Sequence, residues 1–376
     1  MNQYYNPVRT FQGYGSLSAL YGLAEEVAKP DKNILLLVWN KDVINIPAFA
    51  EFCERESARV VVRCFSASNP ELEQLYQMYL EVKDKNIGLI IAVGGGSVLD
   101  VGKSLCLLCE KEISDMESLR NMIVSKKYGM PSCRWIGIPT TAGTGSEVTC
   151  WATVWDSKND IKYSIETQNN YAFAAIADTQ LTNTLPLKLA VSSALDAVAH
   201  ATESYWAKAS NAVSCAMALE AIRTIMERMD ELLVNPDSKE AHDAMSKGSM
   251  LAGLAFSNTR TTACHSISYP LTMRYRIPHG TAVSLLLPPV FRLNYQSISN
   301  VEELLSAFGV KNTDEFEERI ISILSAAGYQ TRLSAWGVKE EDISELTAHS
   351  ITKGRADNNP VQLTSTVVHD ILRNLL

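Results

Sequence analysis

Two unbroken apolar runs, Asn33 to Trp39 (NILLLVW) and Ile87 to Val93 (IGLIIAV), constrain the fold most. A strand that faces water on one side alternates polar and apolar residues, so runs that are apolar at every position belong to strands covered on both faces. That is the condition of a parallel sheet between layers of helices. Ala58 to Phe65 (ARVVVRCF) and Arg134 to Ile138 supply two more strands, with amphipathic stretches between the runs. Ala152 to Trp155 and Lys162 to Ile165, joined by Asp156-Ser157-Lys158-Asn159-Asp160, read as a β-hairpin.

From about Leu185 onward, Ala-, Leu- and Met-rich segments of helical length follow one another and strand signals fade. A chain of 376 residues has room for two domains. The expected division is an α/β domain over 1–180 and an all-α domain over 181–376, packed around a shared cleft. Lys plus Arg number 34 against 42 Asp plus Glu, a formal charge of -8 that gives no footprint for nucleic acid. No segment is apolar for the roughly 20 residues of a membrane span. The start, Met1-Asn2-Gln3-Tyr4-Tyr5, shows no secretory pattern, and the Cys residues read as buried thiols of a reducing cytoplasm.

Two small-residue loops sit where such a sheet binds ligands. Gly94-Gly95-Gly96-Ser97 follows a buried strand and opens a helix-compatible segment, so bare N–H groups at the helix start would suit a phosphate. Leu99 stands where a Rossmann fingerprint has its third glycine, and Ser97 where a Walker A loop has its first, so neither motif is present. The second loop, Pro139-Thr140-Thr141-Ala142-Gly143-Thr144-Gly145-Ser146-Glu147, follows the fourth strand. Both loops lie at the carboxyl ends of strands, where open α/β sheets bind ligands.

In the helical half, Asp196 and His200 are four residues apart in a strongly helix-forming stretch and share one face. His265 and His279 come from later segments. Three imidazoles and a carboxylate can surround zinc or iron(II) and leave a position open for a substrate oxygen. By itself an Asp-x-x-x-His pair reads as a capping or surface pair. His242, His349 and His369, in polar segments, read as surface histidines, and Cys264 as a small buried neighbour of His265.

Gly94 to Ser97 with Asp100, the Pro139 to Glu147 loop, Asp196-x-x-x-His200 and Pro278-His279-Gly280 occur in one order, and with that spacing the chain resembles the iron-containing, group III alcohol dehydrogenases from about residue 5 onward. The resemblance implies an N-terminal dinucleotide-binding α/β domain and a helical metal-binding domain, the fold shared with dehydroquinate synthase. It implies Asp196, His200, His265 and His279 as ligands of Fe2+, with Zn2+ or Mn2+ as alternatives. It implies NADH or NADPH held by Asn40, Gly94, Gly95, Gly96, Ser97, Asp100, Thr140, Thr141, Thr144, Thr149 and Lys162. The reaction it implies is hydride transfer between nicotinamide and an aldehyde polarised by the metal, in a cytoplasmic enzyme, expected as a homodimer, whose partner is a small aldehyde or alcohol.

Two departures from the family pattern matter. Many members carry a second histidine four residues after the third ligand; this chain has Tyr269, which takes that catalytic position but does not titrate near neutrality. Where NAD-preferring members carry Asp after the strand, this chain has Asn40, which cannot repel a 2'-phosphate. Before the third ligand, where members acting on plain alcohols have Gly and Leu, stand Arg260, Thr261 and Thr262. A guanidinium with hydroxyls offers bidentate, charge-assisted bonds to a phosphonate or carboxylate; the other reading pairs Arg260 with an acidic neighbour. With Tyr269-Pro270-Leu271-Thr272, and Asn359 as a further lining residue, the pattern looks like the phosphonoacetaldehyde reductase branch, which makes 2-hydroxyethylphosphonate. A general short-chain alcohol dehydrogenase, a dehydroquinate-synthase-like cyclase and a non-catalytic binder are the alternatives.

Overall fold

The computed structural model describes residues 3–159, 161–352 and 354–376. They fall into two compact units, an α/β unit of 6–141 with 146–181 and a helical unit that begins at Thr182. The single break expected near 180 omits two short segments that group with the helical unit, the N-terminal residues up to Tyr5 and Ala142–Gly145. Local bonding explains both. The Tyr4 hydroxyl donates to the Leu254 carbonyl and Tyr5 N–H to Asn258 Oδ1, while Gly143 and Gly145 lie so close to Ser193 and Gly253 that a side-chain carbon would collide with backbone.

The α/β unit contains β1 (Arg9–Gln12), α1 (Leu20–Val27), β2 (Asn33–Val38), α2 (Pro47–Arg55), β3 (Val60–Cys64), α3 (Leu72–Val82), β4 (Ile87–Gly94), α4 (Gly96–Leu108), α5 (Met116–Val124), β5 (Arg134–Pro139), β6 (Trp151–Asp156), β7 (Ile161–Glu166) and β8 (Ala174–Ala177). Six strands form one parallel sheet in the order β1-β8-β5-β4-β2-β3. The apolar runs are its centre, and alternate side chains feed two cores. Ile34, Leu36, Val38, Leu89, Ile91 and Val93 face the Phe49 and Phe52 side; Leu35, Leu37, Ile90 and Ala92 face Leu75, Leu99 and Leu105. Gly102 lets α4 lie directly on β4, since a Cβ there would be 2.8 Å from that of Ala92.

β1 and β8 were not anticipated. Ala174–Ala177 reads AAIA, helical by propensity, and becomes a strand only through pairing with β1 and β5. The strand ahead of Asn40 is therefore the second of the chain. β6 and β7 form the expected antiparallel hairpin; Asp160, in its connection, lies outside the described residues, as do Met1 and Asn2. All eight cysteines are free thiols; Cys53, Cys64 and Cys215 are only half-buried, and Cys106 and Cys109 form a C-x-x-C pair buried within and just after α4.

The helical unit contains α6 (Leu187–Trp206), α7 (Ala212–Val234), α8 (Lys239–Thr259), α9 (Ala263–Tyr275), α10 (His279–Asn294), α11 (Val301–Phe308), α12 (Thr313–Ala326), α13 (Ile343–His349) and α14 (Ser365–Asn374). α6 is its axis. Ala190, Ala194, Ala197, Ala199 and Ala201 are buried around the whole helix, as expected of a helix enclosed by others, and their small size lets neighbours approach closely. Among the described residues no helix is long and apolar enough to cross a membrane. His242 is buried rather than on the surface, because its Nε2 bonds the Pro236 carbonyl at the start of α8.

Candidate metal and cofactor site

α6 presents Asp196, His200 and Glu203 at i, i+4 and i+7, a single face of the helix. α9 brings His265, its third residue, to that face, and α10 opens on His279. Gly280 sets the position of α10, because a Cβ there would lie 2.0 Å from the Ser192 carbonyl oxygen of α6. His265 Nε2 is 3.5 Å and His279 Nε2 3.9 Å from Asp196 Oδ1, and one ligand atom from each of these three residues lies within 4.8 Å of the others. His200 sits beside this triad rather than within it. Its Nδ1 is 3.9 Å from Asp196 Oδ2, and its ring stacks between Phe256 at 4.2 Å and His265 at 4.3 Å.

Asp196 Oδ1, His200 Nδ1 and His265 Nε2 are all buried without a hydrogen-bond partner. Each unsatisfied buried polar atom costs about 1–3 kcal/mol, so three clustered around the Asp196 carboxylate make a poor resting core and a good cation site. The protonation states of His200 and Asp196 agree. Burial pushes His200 down to about 4, which leaves a neutral imidazole with a lone pair. Burial opposes ionisation of Asp196, but the attraction of His200, His265 and His279 prevails and holds its carboxyl well below the usual carboxylate range. Carboxylate and imidazole donors of this kind suit Fe2+, Zn2+ or Mn2+.

Glu203 is the site residue that the sequence reading missed. It is wholly buried, accepts from Thr262 Oγ1 and Cys264 N–H at 2.7 Å each, and bonds His265 Nδ1 through its other oxygen. Burial favours the neutral acid, yet His265 beside it and these donors keep it ionised. A carboxylate on the far nitrogen of a ligand imidazole fixes the tautomer that leaves Nε2 free for metal. The signal was available, since Glu203 completes the helical face of Asp196 and His200.

In the α/β unit the sheet order reverses between β2 and β4, and this switch is where such sheets bind ligands. Asn40 follows β2, Gly94 to Ser97 end β4 and open α4, and Thr140 and Thr141 follow β5. Gly95 is the N-cap of α4 with no side-chain cap, so N–H groups stay available for a phosphate. Thr140 N–H donates to the Gly94 carbonyl and joins the two loops. Thr144 lies in the short segment that groups with the helical unit. Several candidates are engaged elsewhere. Ser97 Oγ accepts from Asn69 N–H, and Asn40 Oδ1 from Asp42 N–H. Asp100 accepts from Ser146 Oγ and Thr153 N–H, and the buried Thr149 hydroxyl accepts from Lys103 Nζ at 3.0 Å. Lys162 Nζ lies over the Trp155 ring at 5.0 Å.

Two substrate assignments need correction. Thr262 is wholly buried, its hydroxyl taking Trp206 Nε1–H and donating to Glu203. Asn359 is also buried, with its amide paired to Asn294 in both directions and to the Val361 carbonyl. Neither has an O–H or N–H left to donate to an anionic ligand. Thr261 is buried, and its carbonyl accepts from Asn358. Arg260 is exposed at the C-cap of α8 with φ 62° and ψ -176°. Tyr269 is buried, its hydroxyl pushed by that burial up to about 12, and its ring stacks on His279 at 6.1 Å and 6°. Arg355 holds its guanidinium 5.2 Å above that ring.

The pattern described as iron-containing alcohol dehydrogenase matches residues 7–179, and that of the Fe-containing alcohol dehydrogenase C-terminal region matches 190–376. The chain is 31% identical to a 4-hydroxybutyrate dehydrogenase of Clostridium kluyveri over 77% of this chain and 78% of that one. It is 31% identical to a 1,3-propanediol dehydrogenase of Citrobacter freundii over 78% of each. The crystal structure of sulfoacetaldehyde reductase from Bifidobacterium kashiwanohense with NAD+ superposes with a TM-score of 0.88 at 26% identity, covering 100% of this chain and 98% of that one.

Proposed function

Because this chain belongs to the iron-containing alcohol dehydrogenase family and is an NAD(P)-dependent alcohol oxidoreductase, we propose that it reduces a small aldehyde with an anionic head, with phosphonoacetaldehyde, giving 2-hydroxyethylphosphonate, as the first choice. The metal ligands in this reading are Asp196, His200, His265 and His279. The convergence of orphaned donor atoms at Asp196 carries the metal assignment. A divalent cation bound there supplies Lewis-acid polarisation of the substrate oxygen, and the nicotinamide supplies the hydride. The protein's share is to keep Asp196 ionised, His200 neutral and His265 in one tautomer, and to fix the dinucleotide at Gly94 to Ser97, Thr140 and Thr141. Tyr269 stays protonated at neutral pH, so its hydroxyl acts there as a neutral hydrogen-bonding group.

Relatives named for sulfoacetaldehyde and 4-hydroxybutyrate support the anionic head, since sulfonate and carboxylate share its charge, and a sulfonate shares the tetrahedral shape of a phosphonate. A panel of phosphonoacetaldehyde, succinic semialdehyde and propanal, assayed with NADH and NADPH after loading with Fe2+, Zn2+ or Mn2+, tests this. Phosphonoacetaldehyde is expected to give the highest kcat/KM. Propanal matching it would reduce the function to that of a general short-chain alcohol dehydrogenase.

Asn40, at the end of β2, is the reading's ribose contact, and no carboxylate there repels a 2'-phosphate. Asn40→Asp is expected to weaken NADPH about tenfold or more relative to NADH through like-charge repulsion. Fluorescence titration of both coenzymes checks this, and an equal loss for both would remove Asn40 from the ribose.

A further inference from the structure

Arg355 is a cation over the Tyr269 ring that the roles above leave unused. Its guanidinium covers one face of Tyr269, the Tyr269 ring stacks on His279, and His279 Nε2 is 3.9 Å from Asp196 Oδ1. Arg355 thus touches the ring that itself stacks on a metal-binding imidazole. Among the described residues no carboxylate lies within ion-pair distance of Arg355, whereas Arg274, Arg292, Arg319 and Arg373 in the same unit each have one.

The backbone that carries Arg355 is held from both sides. Ser266 Oγ, one residue after His265, donates to the Ser350 carbonyl at 2.6 Å and accepts Thr352 N–H at 2.8 Å. Asn358 Nδ2 donates to the carbonyls of Thr259 and Thr261 at 2.8 and 3.1 Å. The segment that carries Arg355 is therefore tied to the same helix that places His265.

We propose that Arg355, seated on Tyr269, takes the anionic head of the substrate. This rests on the reading of the function given above and replaces Arg260 in that role. Charge decides between the two kinds of substrate. A guanidinium next to a divalent-cation site is repelled by the cation it faces, and an uncharged alcohol between them does nothing to relieve this. A substrate whose anionic head meets the guanidinium while its oxygen reaches the cation site offsets that repulsion, and the planar fork of arginine matches the oxygens of a phosphonate, sulfonate or carboxylate.

The test uses the metal-loaded enzyme and the variants Arg355→Ala, Arg355→Lys and Arg260→Ala. Steady-state kinetics on phosphonoacetaldehyde and propanal are paired with calorimetric binding of 2-hydroxyethylphosphonate and with elemental analysis. Arg355→Ala is expected to lower the phosphonoacetaldehyde-to-propanal ratio of kcat/KM about 30-fold or more, mainly through KM, and to weaken 2-hydroxyethylphosphonate by a similar factor. Arg355→Lys should recover part of both, and Arg260→Ala should shift the ratio less. Unchanged 2-hydroxyethylphosphonate binding in Arg355→Ala, equal losses on both aldehydes, or loss of metal would overturn the assignment while leaving a wild-type preference for the anionic aldehyde in place. A wild type with no such preference would overturn the functional reading itself, and this inference with it.

Discussion

His279→Ala is expected to emerge from purification with little metal and with turnover reduced by several orders of magnitude. Asp196, His265 and His279 bring their donor atoms together with His200 beside them, and none is surplus, because structural and catalytic sites of this kind hold a divalent ion with three or four protein ligands. His279 is the more informative of the two later histidines. Its side chain is 34% exposed, so the truncation can fill with water, whereas His265 is 3% exposed and neutralises the wholly buried Glu203. His265→Ala should lose metal as well, but it also leaves an unpaired buried carboxylate, a defect that typically costs about 3–5 kcal/mol. The two variants should therefore share the metal loss and differ in melting temperature, with His265→Ala the lower. Elemental analysis and thermal melts with and without added Fe2+ read both quantities. Added metal should raise the wild-type melting temperature by linkage and leave that of the variants nearly unmoved. Full metal stoichiometry in both variants would remove these histidines from the site.

The parts of this protein legible in its sequence are those fixed by local pattern. Ile34 to Val38 and Ile87 to Val93 announce a doubly covered sheet because every position is apolar, and the structure places them at its centre. Asp196 and His200 are legible because four residues make just over one helical turn. What was not legible depends on neighbours far along the chain. Ala174–Ala177 is a strand only because β1 and β5 offer it hydrogen bonds. Thr262 and Asn359 look like ligand-binding residues by type, but their hydroxyl and amide are consumed by Glu203, Trp206 and Asn294, between 56 and 65 positions away. Arg355 carries no local mark at all; it acquires meaning from Ser266 and Asn358, which seat its segment over Tyr269. Glu203 was within reach of the helical periodicity, and the search for metal donors stopped one turn short of it.

Glu203→Gln should weaken metal binding about 10- to 100-fold with the fold preserved, the range found when partners behind ligand imidazoles are removed. The volume is nearly unchanged, so packing is not at issue, and the hydrogen-bond pattern decides. In the native protein both carboxylate oxygens act only as acceptors, one from Thr262 Oγ1 and Cys264 N–H, the other facing His265 Nδ1. A glutamine offers one acceptor and one donor. With its NH2 toward Cys264, two N–H donors oppose each other across a buried gap. With its NH2 toward His265, the imidazole must accept at Nδ1 and carry its proton on Nε2, the nitrogen 3.5 Å from Asp196 Oδ1. That tautomer cannot donate a lone pair to the cation. Either orientation opposes metal binding, the first by misplacing the ring and the second by protonating the ligand atom. Glu203→Asp keeps the charge on a shorter arm and should fall between the two. Chelator competition on the purified proteins measures the affinity directly, and a Glu203→Gln enzyme that holds metal as tightly as the wild type would mean that His265 is oriented by the packing of its ring against His200 rather than by the carboxylate behind it.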